Sequence, residues 1–212
     1  MKLDILIPVY NTKADHLFES VFSVIRQINK RKHRVILLDD ASNEDETLFA
    51  LDALEKYCKV IHFDSNEGTA AVLNRGHEIV ESDWVGIVGS DDVCAPEKFP
   101  MQISYLKKNP EVDVLGTNLY AFNDGDIRRR SLFTSDHDEN PDLTNEKNWF
   151  VNHGTVIYRQ EAVMSVGGYN EEYRRRQDIE LWLRMAKEGY QFRNVVDCLY
   201  AWRRYPNRNP ES

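Results

Sequence analysis

Over the first ninety positions, short unbroken apolar runs alternate with stretches in which apolar residues recur every three or four. Residues 3–9 (LDILIPV) and 35–39 (VILLD) are β-rich runs of the kind buried on both faces of a parallel sheet. Between them, Asp15 to Ile28 sets Leu17, Phe18, Val21, Phe22, Ile25 and Ile28 at helical spacing, with Thr12 and Asp15 placed as a capping box. The pattern continues with a helix over 44–57 carrying Leu48, Leu51, Leu54 and Tyr57, a strand over 60–63, a helix over 69–80 and a strand over 84–88. Such alternation predicts an α/β fold: a mainly parallel, Rossmann-like central sheet with helices on both faces, joined by right-handed crossovers.

The rhythm changes near residue 96. A helix is expected near 100–108, followed by strands within 112–122 and 128–134 that extend the sheet. Residues 135–148 are polar, contain Pro141 and lack an apolar period, so they read as a surface loop, a short helix or a lid over a site. A strand is predicted over 154–158 and a break at Gly167 and Gly168. Ile179 to Lys187 then reads as a helix facing Leu181, Trp182 and Met185 inward, and 206–212 as a frayed tail. Without repeats or a linker, residues 1–212 form one domain.

Composition narrows the function classes. The chain has 27 Lys+Arg against 35 Asp+Glu, a net charge of −8, which argues against a nucleic-acid binder and against anionic membrane surfaces. The N-terminal apolar stretch is too short for a secretory signal, and no run approaches the roughly 18 apolar residues of a membrane span. Cys58, Cys94 and Cys198 are odd in number and far apart, so they read as core thiols rather than as disulfide or zinc ligands. These features together lead to the expectation of an unprocessed cytoplasmic protein, with peripheral membrane attachment only through a partner or a segment outside this chain.

In open parallel sheets, ligands bind beyond the carboxyl ends of the strands. The first strand ends in Pro8-Val9-Tyr10-Asn11, with neither a dinucleotide glycine fingerprint nor a P-loop. The second ends in Asp39-Asp40 and the fourth in Ser90-Asp91-Asp92, so two acidic pairs meet at one edge. Adjacent carboxylates repel each other and repel phosphate, so the cluster makes chemical sense around a divalent cation, Mn²⁺ or Mg²⁺, completed by diphosphate oxygens and water. Asp39-Asp40 can alternatively accept hydrogen bonds from a base or ribose, or cap the next helix. Asp178 begins the late helix as a candidate general base or as a simple N-cap. The Arg128–Arg130 and Arg174–Arg176 runs are solvated surface or anion grips. His153 either touches an acceptor or satisfies a local hydrogen bond, and Trp149, Trp182 and Trp202 offer a sugar-stacking face or core packing.

Taken in order, ILIPVYN, LLDDASNEDET, Asn66-Glu67-Gly68, Asn74-Arg75-Gly76, GSDD at 89–92, GGYNEEY at 167–173 and QDIELWLRM at 177–185 resemble the motifs of family 2 glycosyltransferases, from about residue 3 to 205. The resemblance implies a GT-A fold and an inverting transfer from a nucleotide sugar to a glycan or glycoconjugate hydroxyl. Residues 1–95 would then bind the nucleotide sugar and 96–212 the acceptor. It further implies that Pro8, Val9, Tyr10, Asn11, Asp40, Asn66, Gly68, Asn74, Ser90 and Asp91 line the donor, that Asp92 with Asp91 holds the metal, and that Asp178 is the base. His153, Gly154 and Trp182 are the candidate acceptor residues. UDP is the expected nucleotide, with dTDP and GDP open. Three departures stand out: Gly89 replaces the first acid of the metal motif, Gln177 removes a negative neighbour of the base, and no histidine appears in Trp202-Arg203-Arg204-Tyr205. Members commonly continue beyond this length, so the chain can be one domain of a longer protein. A nucleotidyltransferase and a non-catalytic nucleotide-sugar-binding module are the alternatives.

Overall fold

The computed structural model describes residues 1–29, 31–123, 126–130 and 151–205. Strands β1 (Leu3–Val9), β2 (His33–Asp39), β3 (Lys59–His62) and β4 (Trp84–Ile87) lie in the order β3-β2-β1-β4, all parallel. The helices between them are α1 (Ala14–Ile25), α2 (Asp45–Leu54) and α3 (Thr69–Ile79). Side chains alternate across a strand, and here both faces are covered. Leu3, Ile5, Ile7 and Val9 pack with Leu17, Val21 and Val24 of α1 and Ala50, Leu51 and Leu54 of α2. On the opposite face Leu6, Ile36 and Leu38 meet Ala70, Val72 and Leu73 of α3. That double burial explains why β1 and β2 read as continuous apolar runs.

Beyond β4 the sheet continues through antiparallel β8 (Ile157–Arg159) to β6 (Val114–Asn123), then parallel β9 (Phe192–Arg203), with β5 (Val93–Cys94) antiparallel at the edge. Strand β7 (Asp126–Arg130) pairs antiparallel with β6. The long β1–β2 and β6–β9 ladders keep the sheet mainly parallel. Helices α4 (Lys98–Lys108), α5 (Gln160–Ser165) and α6 (Gln177–Lys187) complete the chain, with Leu181, Trp182 and Met185 of α6 buried as expected.

Several expectations need correction. Thr12 and Asp15 form no capping box: α1 starts after Lys13 with no side-chain cap, and Thr12 Oγ1 is hydrogen-bonded to Ser90 Oγ at 2.6 Å. Helix α1 stops at Ile25 and α2 spans a shorter range than 44–57. The strand expected over 154–158 opens as a 3₁₀ turn at His153–Thr155, because Asn152 Oδ1 accepts from Gly154 N at 3.2 Å and winds the backbone before β8 begins. Strand β9, twelve residues long, lay outside the predicted elements. Of 128–134, the part up to 130 falls in β7; residues 131–134, the lid segment 135–148, Trp149 and the tail 206–212 lie outside the described residues. No helix among the described residues is long and apolar enough to cross a membrane.

Candidate active site

Register aligns Val9 of β1 with Asp39 of β2, so both strands deliver their loops to one edge. Asn11 (φ 47) and Ala41 (φ 59) turn sharply there in the left-handed region, and Arg176 (φ 58) does so immediately before α6. These are the three non-glycine residues with positive φ among the described residues, and all three border the predicted site; backbone strain of this sort gathers where a surrounding structure enforces a functional geometry. Asn11 knits the two loops together: its Nδ2 donates to Asn43 Oδ1 at 2.8 Å, and its Oδ1 accepts from the Asn43 and Glu44 amides. Tyr10 stands exposed beside it. Val9, expected to line the donor, turns its side chain into the core and offers only its backbone, whose carbonyl accepts from Asp40 N at 2.9 Å.

Asp40 is buried, and both of its oxygens are engaged. They accept from Asn66 Nδ2 (3.0 Å), Glu67 N (2.7 Å) and Gly68 N (2.9 Å), so the carboxylate shapes the 66–68 loop rather than standing free for a base. Asp39 is buried too, accepting from Ser42 N and pairing with His62 Nδ1 at 2.7 Å. Gly68 takes φ 92 at the head of α3, and a Cβ there would come within 2.6 Å of Arg174 Nη1, so this glycine lets Arg174 lie against the loop. Asn74, predicted on the donor, is instead a clamp. Its Nδ2 donates to Tyr169 O (2.9 Å) and Glu171 Oε1 (2.8 Å), and its Oδ1 accepts from Tyr169 N (2.8 Å), leaving the side chain facing the 169–171 loop.

The GSDD turn after β4 is latched by β9. Asp92 is buried, its Oδ2 accepting from Tyr200 Oη at 2.6 Å and its Oδ1 from Arg203 N at 2.7 Å. Burial, and then the charge of Asp91, push its carboxyl up to about 7. Tyr200 Oη also accepts from Gly89 N at 3.0 Å, and Arg203 Nε donates to Asp91 O at 2.9 Å. A Cβ at Gly89 would collide with Asp92 Oδ2, so glycine suits this arrangement of Asp92. Asp92, expected as the direct metal ligand, thus has both oxygens engaged by protein donors in this structure. The half-exposed Asp91 is the carboxylate this turn presents at the surface. No group of three His, Cys, Asp or Glu side chains suited to a metal gathers among the described residues. One accessible carboxylate fits a cation that takes most of its shell from a diphosphate and water.

Asp178 lies in the first turn of α6, half-exposed. The segment in front of it is fixed from two sides, by Asn74 on α3 and by Arg184, whose Nη2 donates to Gly168 O (2.7 Å) while its Nε donates to Glu180 (2.6 Å). His153 lies within the electrostatic reach of Asp178 and is hydrogen-bonded through Nε2 to Tyr169 Oη at 2.8 Å. Gly154 makes room for Tyr200 Oη, which a Cβ would strike; its role is packing, not acceptor contact. Trp182 is also no acceptor platform. It is buried edge-on to His153 (6.1 Å), Tyr158 (6.0 Å) and Phe192 (6.0 Å), because α6 turns this position inward. The structure thus links the acidic turn to the base: Asp92 to Tyr200, Tyr200 against Gly154, and the adjacent His153 in the field of Asp178. Sequence reasoning missed Tyr200, Arg203 and Tyr169. Tyr169 sat inside a recognised motif, whereas Tyr200 and Arg203 belong to the unpredicted strand.

Residues 4–167 match the model of the family described as Glycosyl transferase family 2. The chain belongs to this family. Family 2 members are glycosyltransferase enzymes, and that sets aside the nucleotidyltransferase reading. Similar proteins include the amylovoran biosynthesis glycosyltransferase AmsE of Erwinia amylovora, 28% identical over 198 residues that cover 92% of this chain and 73% of that protein. Another is the UDP-Gal:alpha-D-GlcNAc-diphosphoundecaprenol beta-1,3-galactosyltransferase of Escherichia coli, 26% identical over 207 residues, 95% of this chain and 74% of that one. The crystal structure of S. aureus TarS 1-349 in complex with UDP-GlcNAc superposes with a TM-score of 0.83 at 22% identity, over 100% of this chain and 61% of that one. This likeness shows that the family 2 domain has the expected GT-A fold. The domain spans about three-fifths of that solved chain.

Proposed function

We propose that this domain transfers a sugar, with inversion, from a nucleoside diphosphate sugar to a hydroxyl of a glycan or glycoconjugate in polysaccharide assembly. The observation that supports the reading is that β1, β2 and β4 run parallel and deliver Asn11, Asp40 and Asp91 to one sheet edge, while Tyr200, bonded to Asp92 and packed against Gly154, connects that edge to His153 in the field of Asp178. Asp178 takes the proton of the acceptor hydroxyl, the acceptor oxygen forms a bond to the anomeric carbon, and the bond from that carbon to the diphosphate breaks with its electron pair leaving on the diphosphate. Tyr10, Asn11 and the Asp40-shaped 66–68 loop border the nucleoside, with Pro8 and Ser90 behind them.

Asp91 would hold Mn²⁺ or Mg²⁺ together with donor phosphate oxygens, and such a cation supplies charge neutralisation for the departing diphosphate. UDP is the favoured nucleotide: two of the similar proteins carry UDP-sugars in their descriptions. The division into a donor half (1–95) and an acceptor half (96–212) is part of the same reading, with β9 of the second half bracing the turn of the first. A reducing, cytoplasmic setting is supported by the free thiols Cys58, Cys94 and Cys198.

Thermal unfolding with UDP, dTDP, GDP, CDP and NAD, each with and without Mn²⁺, tests the donor site. A ligand at a hundredfold its Kd adds about 2.7 kcal/mol, which raises the Tm of a domain of this size by about 5 to 10 °C. The expected result is one nucleoside diphosphate whose shift needs the cation and disappears in Asp91→Ala, while Mn²⁺ alone gives none. Asp178→Asn should keep that shift and lose turnover by at least a hundredfold. Full transfer by Asp178→Asn would refute the base; a shift without turnover by the native chain would favour the binding-module alternative.

A further inference from the structure

Behind Asp178 lies a row of four polar side chains that the transfer reaction, as described above, does not use. His153 Nε2 is hydrogen-bonded to Tyr169 Oη (2.8 Å), Tyr169 Oη to Tyr158 Oη (3.2 Å), and Tyr158 Oη to His77 Nε2 (3.0 Å). The row crosses from the turn before β8, through the loop before α6, to the inner face of α3. Tyr158, Tyr169 and His77 are buried, and Trp182 packs edge-on against both His153 and Tyr158. Buried polar chains of this sort specify a geometry only when every donor finds an acceptor.

The direction of the row follows from its far end. His77 Nδ1 is buried with no hydrogen-bond partner, and burial pushes this imidazole down to about 4, so it is neutral and carries one proton. A proton on Nδ1 would be an orphaned buried N–H, costlier and rarer than an orphaned lone pair. The proton therefore sits on Nε2 and is donated to Tyr158 Oη. Tyr158 must then donate to Tyr169, and Tyr169 to His153 Nε2. His153 accepts at Nε2, so its own proton lies on Nδ1. Asp178 lies one helical turn before Trp182, whose ring packs edge-on to His153 at 6.1 Å, and its charge reaches both His153 and Tyr169.

We infer that His153, its proton set on Nδ1 by the buried row Tyr169–Tyr158–His77, is a positioning residue for Asp178. An uncharged ring with one fixed N–H gives Asp178 a polar neighbour of defined orientation, where an imidazolium would neutralise the base and a freely chosen tautomer would present that N–H only part of the time. The inference deepens the proposed reaction and rests on it for the role of Asp178. The proton placement rests on the hydrogen-bond geometry.

The test combines ¹⁵N NMR of the histidine side chains in the whole chain with steady-state kinetics on the sugar nucleotide selected by the thermal screen, followed as nucleoside diphosphate release. His153, assigned by loss of its signals in His153→Gln, should show the Nδ1–H tautomer in the native protein. It should move toward the Nε2–H form in Tyr169→Phe, which deletes one hydroxyl and keeps the ring, and should shift in Asp178→Asn. Tyr169→Phe should lose about tenfold in kcat with donor KM unchanged. His153→Asn, whose amide N–H mimics Nδ1–H, should retain more kcat than His153→Gln, which mimics Nε2–H. An Nε2–H tautomer in the native protein, a His153 signal indifferent to either substitution, or an unaltered kcat in Tyr169→Phe overturns the inference. If the native chain turns over no sugar nucleotide, the function reading fails on its own, and the tautomer with its response to Tyr169→Phe and Asp178→Asn still decides the arrangement.

Discussion

Tyr200 shows how one hydroxyl can organise a site. Its Oη donates to Asp92, accepts from Gly89 N and occupies the space that Gly154 leaves by having no side chain. Gly154→Ala would put a methyl group against that oxygen and against the buried Tyr200 ring. Overpacking of this type costs about 1–3 kcal/mol. The expected outcome is a lower urea midpoint with an unchanged m-value, together with weaker nucleotide binding as Asp92 loses its donor. A Gly154→Ala protein with native stability and native binding would show that the Tyr200 contact relaxes freely. The departure at Gly89 follows from the same geometry. A side chain there would meet Asp92 Oδ2 while Asp92 points at Tyr200.

Elements differ in how plainly the sequence announces them. Strands β1 and β2 were legible because each is buried on both faces, and α6 because Leu181, Trp182 and Met185 recur on one side. Strand β9 was not. Its register against β6 slips between Thr117 and Leu119, so Val195, Cys198 and Tyr200 pair with successive residues of β6 and the two-residue alternation breaks in the middle. The acidic pairs and Asp178 were readable as candidates, whereas the burial and hydrogen bonding of Asp92 depended on donors from that unread strand. Asn74 belongs to this scale as well, since it ties α3 to the loop ahead of α6 with three hydrogen bonds. Asn74→Ala should cost about 1–3 kcal/mol by leaving buried backbone groups unpaired. Amide exchange in residues 167–171 should accelerate while β1 and β2 stay protected; uniform acceleration would mean that the loop is not the unit being held.

At the scale of the whole molecule, folding keeps His77 neutral in the core. Its proton affinity is ordinary, near 6.5, in the unfolded chain and falls to about 4 on burial, so between those values the unfolded state binds more protons. The His77 contribution to stability therefore rises with pH across that window and is lost as pH falls from about 6.5 to 4, by roughly 3 kcal/mol in all. Asp4 continues the loss at lower pH: burial pushes its carboxyl up, but Arg34 and the hydrogen bonds from Glu81 N and Ser82 Oγ pull it net downward. Asp92 acts in the opposite sense over the same window, because its carboxyl is raised to about 7, so His77 is read by difference: between pH 7 and pH 4.5 the native protein should lose stability relative to His77→Gln in urea unfolding, and equal changes in the two proteins would place the titrating group elsewhere.

The latch between Asp92 and Arg203 also sets a clock. Its two ends are 111 residues apart in the chain, and a ribosome adding about 5–20 residues per second needs roughly 6 to 22 s to travel between them. The early strands emerge, pair and bring their acidic loops to the sheet edge well before β9 exists. During that interval the GSDD turn lacks the Tyr200 and Arg203 donors that hold Asp92. The turn is latched only once β9 has paired beside β6.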